Sequence, residues 1–169
     1  IVPVTAQETA KATSIISSHL PLMGHRNWIV IADSAYPLQS NPGIRTVAIN
    51  EDQEKILASV LKLISSQKHI KPLIYADAEL DYVDDRHAPG ISSYRQRLKT
   101  ALGDTTIRVL PHEDIIAKLD KAASVFNVII IKTNSILPYS SIFIELDCSY
   151  WTEQAEKDLR EAMNNKARQ

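Results

Sequence analysis

Six short apolar runs, most of them rich in β-branched residues, recur along this chain, and most are separated by amphipathic helical patterns. They cover Asn27 to Ala32, Ile44 to Ile49, Pro72 to Ala76, Thr106 to Leu110, Asn127 to Lys132 and Ile142 to Leu146. Their nearly unbroken apolar character is that of strands covered on both faces. Between them, Glu51 to Ser65 carries Ile56, Val60, Leu61 and Ile64 on one stripe, with Asn50 and Gln53 spaced as a capping box. Ser92 to Leu102 aligns Tyr94, Leu98 and Ala101 and stops at Gly103, and Glu113 to Ala122 carries Ile115, Ile116 and Leu119. A leading helix is expected over about Gln7 to Ser18 and a charged one after Thr152.

This alternation predicts an α/β fold, a three-layer α/β/α sandwich around a mostly parallel six-stranded sheet. The link from Lys132 to Ile142 is too short for a crossover helix, so the last two strands are expected to pair antiparallel. One domain over 1–169 is expected, with an N-terminal tail over about 1–6 and a C-terminal helical extension over about 151–169. An apolar fraction of 44% suffices for that core without disulfides, and a lone Cys148 excludes an internal disulfide framework.

Net charge narrows the partners. At −1 the chain has no positive excess with which to neutralise a phosphate backbone, so nucleic acid is not expected. No apolar run approaches the roughly 18 residues that span a bilayer, so no membrane partner is expected either. Val4-Thr5-Ala6 has the small-residue character of a signal-peptide cleavage site, which sets export beside the alternative of a trimmed or frayed terminus. The four glycines form neither a G-x-G-x-x-G motif nor a P-loop, and no G-x-S-x-G elbow is present.

Ligands in open α/β sheets sit beyond the carboxyl ends of the strands, and Asp33 falls there, after Trp28-Ile29-Val30-Ile31-Ala32. His25 lies before the same strand. A six-residue strand is roughly 20 Å long, so His25 and Asp33 of one chain are not expected to touch. His112 opens a helix in Pro111-His112-Glu113-Asp114, where the positive end of the helix dipole favours a neutral imidazole able to act as a base. Pro138-Tyr139-Ser140-Ser141 offers hydroxyls and backbone amides to a polyol, or simply makes a polar turn. The acidic stretch Asp77 to His87 lacks the turn glycine and spacing of an EF-hand loop and reads as a solvated lid rather than a metal site.

Together these segments resemble the D-ribose pyranase / L-fucose mutarotase (RbsD/FucU) family over about His19 to Leu146. The opening Gly24-His25, the apolar strand, Asp33 and Pro37 are similar to the family's first motif. The helix Ile56 to Ile64 is similar in place and character. His112 falls where the pyranase branch carries a histidine, and Pro138-Tyr139 matches the pyranase form of the closing motif. The resemblance implies a cofactor-independent isomerase, cytoplasmic, that interconverts monosaccharide anomers or ring forms. It also implies a ring-shaped homo-oligomer whose sites draw on adjacent subunits. By resemblance His25 is the acid/base, Asp33 orients it or the sugar, His112 and Tyr139 complete the site, and Asn27 and Ser141 contact substrate. The chain departs from the family pattern at Asn27, Asn134-Ser135, Ser141 and Ile116, which carry an Asp, a Gly-Glu pair, an Asn and a Lys in the family; Lys118 stands near the last. These departures imply altered sugar contacts, and they keep in view an alternative: a non-catalytic carbohydrate-binding or sugar-transport accessory protein on the same fold.

Overall fold

The computed structural model describes residues 4–166. In chain order the elements are α1 (Val4–His19), β1 (Trp28–Ala32), β2 (Ile44–Ala48), α2 (Gln53–Ser65), β3 (Ile70–Asp77), α3 (Ile91–Leu102), β4 (Ile107–Leu110), α4 (His112–Ala123), β5 (Val128–Lys132), β6 (Ile142–Cys148) and α5 (Glu153–Lys166). Short 3-10 turns occupy Leu20–Leu22 and Ala78–Tyr82. Helix α1 begins at Val4, within the tail expected over about 1–6; residues 1–3 and the last three of the C-terminal extension lie outside the described residues.

All six expected strands form one sheet in the order β2-β5-β1-β6-β3-β4. Strand β1 pairs in parallel with β5, β5 with β2, and β3 with β4. The exception is β6, which runs antiparallel to β1 on one side and β3 on the other. The expected antiparallel strand is therefore real, but its partner is not β5. The link after Lys132 carries the chain past the end of β1 and inserts β6 beyond it, a non-local pairing that link length alone does not specify.

Alternation along each strand divides the core between two faces. Ile29, Ile31, Ile129, Ile131, Ile142 and Ile144 meet the apolar stripes of α1, α2 and α3. Trp28, Val30, Val128, Ile130 and Phe143 face Ile115, Leu119 and Ala123 of α4. The sandwich is lopsided, three helices against one, while α5 buries none of its residues. All five residues of β1 are buried at the centre of the sheet, so truncating Ile31 to Ala is expected to cost about 2–5 kcal/mol.

Because every strand but β6 points the same way, the carboxyl ends of β1 to β5 gather on one edge with the start of β6. The end of β6 lies on the opposite edge, beside the amino end of β1.

Candidate functional site at the carboxyl edge

Four chain segments meet at that edge. Asp33 follows β1, Asp77 ends β3, His112 opens α4 straight after β4, and the loop from Thr133 to Ser141 joins β5 to β6. The Ser141 hydroxyl donates to Asp33 Oδ1 at 2.8 Å and accepts from the Asp33 backbone N–H at 3.1 Å. Asp33 Oδ2 accepts from the Ala35 N–H at 3.1 Å, which makes the tight turn that follows the strand.

His112 is clamped twice. Its ring Nδ1 lies 2.9 Å from Asp77 Oδ2, and its backbone N–H donates to the Glu79 carboxylate at 3.0 and 3.2 Å. Glu79 thereby satisfies a free donor of the first turn of α4 and places negative charge at the positive end of the helix. The His112 ring also meets Tyr139 edge-on, centroids 5.6 Å apart at 80°. Tyr139 takes a left-handed backbone conformation, φ 55°, and its side chain stays partly exposed. An open cleft of about 470 Å³ adjoins these groups, lined by Ala78, Glu79, Tyr82, Val83, Pro111 and Tyr139.

The loop carrying Tyr139 rests on a buried polar network. The Gln53 side-chain amide donates to the Tyr94 hydroxyl at 3.1 Å and to the Ser140 carbonyl, and the Tyr94 hydroxyl donates to the same carbonyl at 2.7 Å. Thr133 and Ser140 hydroxyls donate to Gln53 Oε1 at 3.4 Å. Gln53, Tyr94, Thr133 and Ser140 are all buried, and the Thr133 and Ser140 hydroxyls also bond the Ala32 and Leu137 carbonyls at 2.9 and 2.8 Å, so none of these desolvated groups stands unpaired. The expected capping box at Asn50 and Gln53 does not form. Asp52 precedes the helix, and Gln53 turns inward to this network instead.

Asp77 is the most unusual group at the edge. Its side chain is wholly buried, and Oδ1 has no hydrogen-bond partner. Its carboxyl is raised to about 6: burial is the largest cause, the hydrogen bond and charge of His112 oppose it, and the charges of Glu79 and Asp33 add to it. Asp33 and Asp77 therefore share one electrostatic environment.

The structure does not bring His25 here. His25 sits at the opposite edge with Nδ1 3.0 Å from Asp147 Oδ1 at the end of β6, and its side chain is 54% exposed. Burial raises Asp147, but the Cys148 backbone N–H, His25 and Lys71 outweigh it and hold its carboxyl below the usual range. Asn27 lies at that edge too. Its Oδ1 accepts from the Gly24 N–H at 2.8 Å and its amide donates to the Asn127 carbonyl at 3.1 Å, so it closes the turn into β1.

The acidic stretch after β3 dissolves into separate local tasks rather than acting as one solvated lid. Asp77 and Glu79 hold His112, Asp84 pairs with Arg86, and Asp85 receives the Gly90 N–H and the Ser92 hydroxyl at the start of α3. Among the described residues no three His, Cys, Asp or Glu side chains gather as a metal site. Asp77 and Glu79 are not among the expected site residues. The signal that found Asp33, an acid at the end of a buried strand, marks Asp77 equally.

Residues 9–148 match the model of the RbsD / FucU transport protein family. The chain is 29% identical over 137 residues to a D-ribose pyranase of Limosilactobacillus fermentum, covering 78% of this chain and 90% of the relative. It is 28% identical over 144 residues to a D-ribose pyranase of Limosilactobacillus reuteri, covering 80% and 95%. Among solved structures, it is similar to Bacillus subtilis RbsD complexed with D-ribose, with a TM-score of 0.55, 18% identity and coverage of 79% and 92%. It is also similar to the Streptococcus pneumoniae fucose mutarotase in complex with L-fucose, with a TM-score of 0.51, 24% identity and coverage of 77% and 89%. These two likenesses concern the fold; α5 lies beyond the matched span.

Proposed function

The chain belongs to the RbsD / FucU transport protein family, and we propose that it interconverts anomers or ring forms of a monosaccharide by general acid–base catalysis, without a cofactor. The observation that carries this reading is the convergence of Asp33, His112 and Tyr139 on one sheet edge beside an open cleft.

The chemistry asks for little more. A base takes the proton of the anomeric hydroxyl and an acid protonates the ring oxygen. The bond between the anomeric carbon and the ring oxygen then breaks as the carbonyl forms, and re-closure yields the other form. In this reading His112 contacts the reacting oxygens, Tyr139 supports the sugar with its ring and hydroxyl, and Asp33, held by Ser141, takes sugar hydroxyls.

His25 enters from a second copy of the chain. Strand β1 alone separates the two edges by roughly 16 Å, so a site using both His25 and Asp33 must be shared between chains. A closed homo-oligomer meets that need, because the same contact repeats until the ring closes.

Saturation-transfer NMR between the anomers of D-ribose, with a wider monosaccharide panel behind it, tests the proposal. Exchange above the buffer rate, abolished in His25→Ala, is the expected result; a panel with no acceleration overturns it. The separation of His25 from the cluster, and the commitment of the Asn27 amide to backbone partners, favour a second reading in which the pocket binds a saccharide without turning it over. Calorimetric binding with no exchange enhancement identifies that case.

A further inference from the structure

An ionised or ionisable side chain buried for stability alone is a poor choice. A carboxyl with one satisfied oxygen and one orphan, in a dry setting, is a net cost that an apolar residue of similar size would remove. Asp77 fits that description: its side chain is wholly buried, Oδ1 has no partner, and its one side-chain hydrogen bond is to His112 Nδ1 at 2.9 Å. Its neighbour two residues on, Glu79, holds the backbone N–H of the same histidine. Two carboxylates from the end of β3 thus fix both the main chain and the ring of one residue on α4.

We infer that Asp77 is a positioning residue that sets the tautomer of His112, holding the proton on Nδ1 and leaving Nε2 bare as the nitrogen offered to substrate. The inference rests on the reading of His112 as the group that meets the sugar. A carboxylate accepts only, so the histidine nitrogen it faces must carry the hydrogen. The nitrogen that lacks a proton is then decided by the partner of the other one. Nε2 has no hydrogen-bond partner among the described residues, and the ring remains part-exposed beside Tyr139, so a bare Nε2 can act as a base. With its carboxyl raised only to about 6, Asp77 is ionised and accepting at neutral pH. The same logic operates in the serine-protease triad, where replacing the buried Asp by Asn preserves geometry but leaves the wrong tautomer and costs about 10⁴ in turnover.

The test is long-range proton–nitrogen correlation NMR on the full chain with ¹⁵N-labelled histidine at pH 7.5, His112 being assigned by its loss in His112→Gln. In the parent, Nδ1 is expected to be protonated and Nε2 bare. In Asp77→Asn, the side-chain amide donates to Nδ1 and the proton moves to Nε2. Under D-ribose exchange, Asp77→Asn is expected to lose at least 100-fold in kcat with KM little changed. A parent His112 carrying its proton on Nε2 overturns the inference even if the variant fails to fold, and so does a tautomer unmoved by Asp77→Asn. The NMR readout needs no sugar, so a parent with the expected tautomer and no exchange of any monosaccharide refutes the sugar reading instead.

Discussion

Ser141 and Asp33 hold each other twice across the β1–β6 pair: the serine hydroxyl gives its proton to Oδ1 and takes one from the aspartate backbone. The acid is therefore aimed by a residue 108 positions away, at the point where the one antiparallel strand joins the sheet. Removing that hydroxyl in Ser141→Ala leaves a part-buried carboxylate oxygen short of a partner. The expected loss in urea-unfolding free energy is about 2 kcal/mol, with weaker D-ribose binding. A variant as stable as its parent would show that water takes over the bond.

Gln53→Ala strikes the support of the Tyr139 loop. It removes the buried amide that ties the Tyr94 hydroxyl to the Ser140 carbonyl and leaves a void beneath the loop. A cost of about 3 kcal/mol is expected, visible as a lower denaturation midpoint at unchanged slope. A shift within error would contradict the network's role.

Tyr139→Gly separates stability from binding. The left-handed backbone at φ 55° suits glycine, whose gain there is offset by its greater freedom in the unfolded chain. Stability should stay within about 1 kcal/mol of the parent. Affinity for D-ribose, followed by calorimetry, should fall because the ring beside His112 is gone. Unchanged affinity would remove Tyr139 from the site.

Asp77 makes the fold pH-dependent in an unusual direction. Its carboxyl is raised from 3.8 to about 6 in the folded chain, chiefly by burial, so between those values the folded state binds its proton more firmly than the unfolded state does. Stability from this group is fullest in acid and falls as pH rises through that window, by about 2–3 kcal/mol in all. The groups facing it, His112, Glu79 and Asp33, modulate the step. The stability difference, parent minus Asp77→Asn, should therefore fall from pH 4 to pH 6.5. A difference that rises instead would mean that pairing with His112 outweighs burial.

Mixing tests the shared site. His25→Ala and Asp33→Asn are each expected to be inactive, and a mixture unfolded and refolded together should regain exchange, because some contacts then join an intact His25 to an intact Asp33. No recovery in co-refolded, assembled material would argue against sites built from two chains.

What was legible in the sequence follows from range. Trp28 to Ala32 announces a buried strand through its own composition, and the strand-end rule then points to Asp33 without any partner being known. His112 and Tyr139 were marked separately, but nothing local says that they meet. Asp77 meets the same strand-end rule, following an expected strand that stops at Ala76, but it heads an acidic run whose composition reads as solvated; β3 continues one residue further and turns it inward. Gln53 departs from its expected role for a related reason. The local spacing suits a cap, while its partners Tyr94 and Ser140 lie 41 and 87 positions away.

The reversed strand β6 acts as a gauge bar. Ser141 precedes one end and braces Asp33; Asp147 near the other end grips His25, so the two groups are kept at a spacing set by one rigid ribbon. Deleting a single residue within β6 would turn the side chains on one side of the gap away from the core face that Ile142, Ile144 and Leu146 share, and draw both ends toward each other. In the proposed ring, built by repeating one contact, that small error would be copied at every joint, so closure itself would become a measurement of this strand's length.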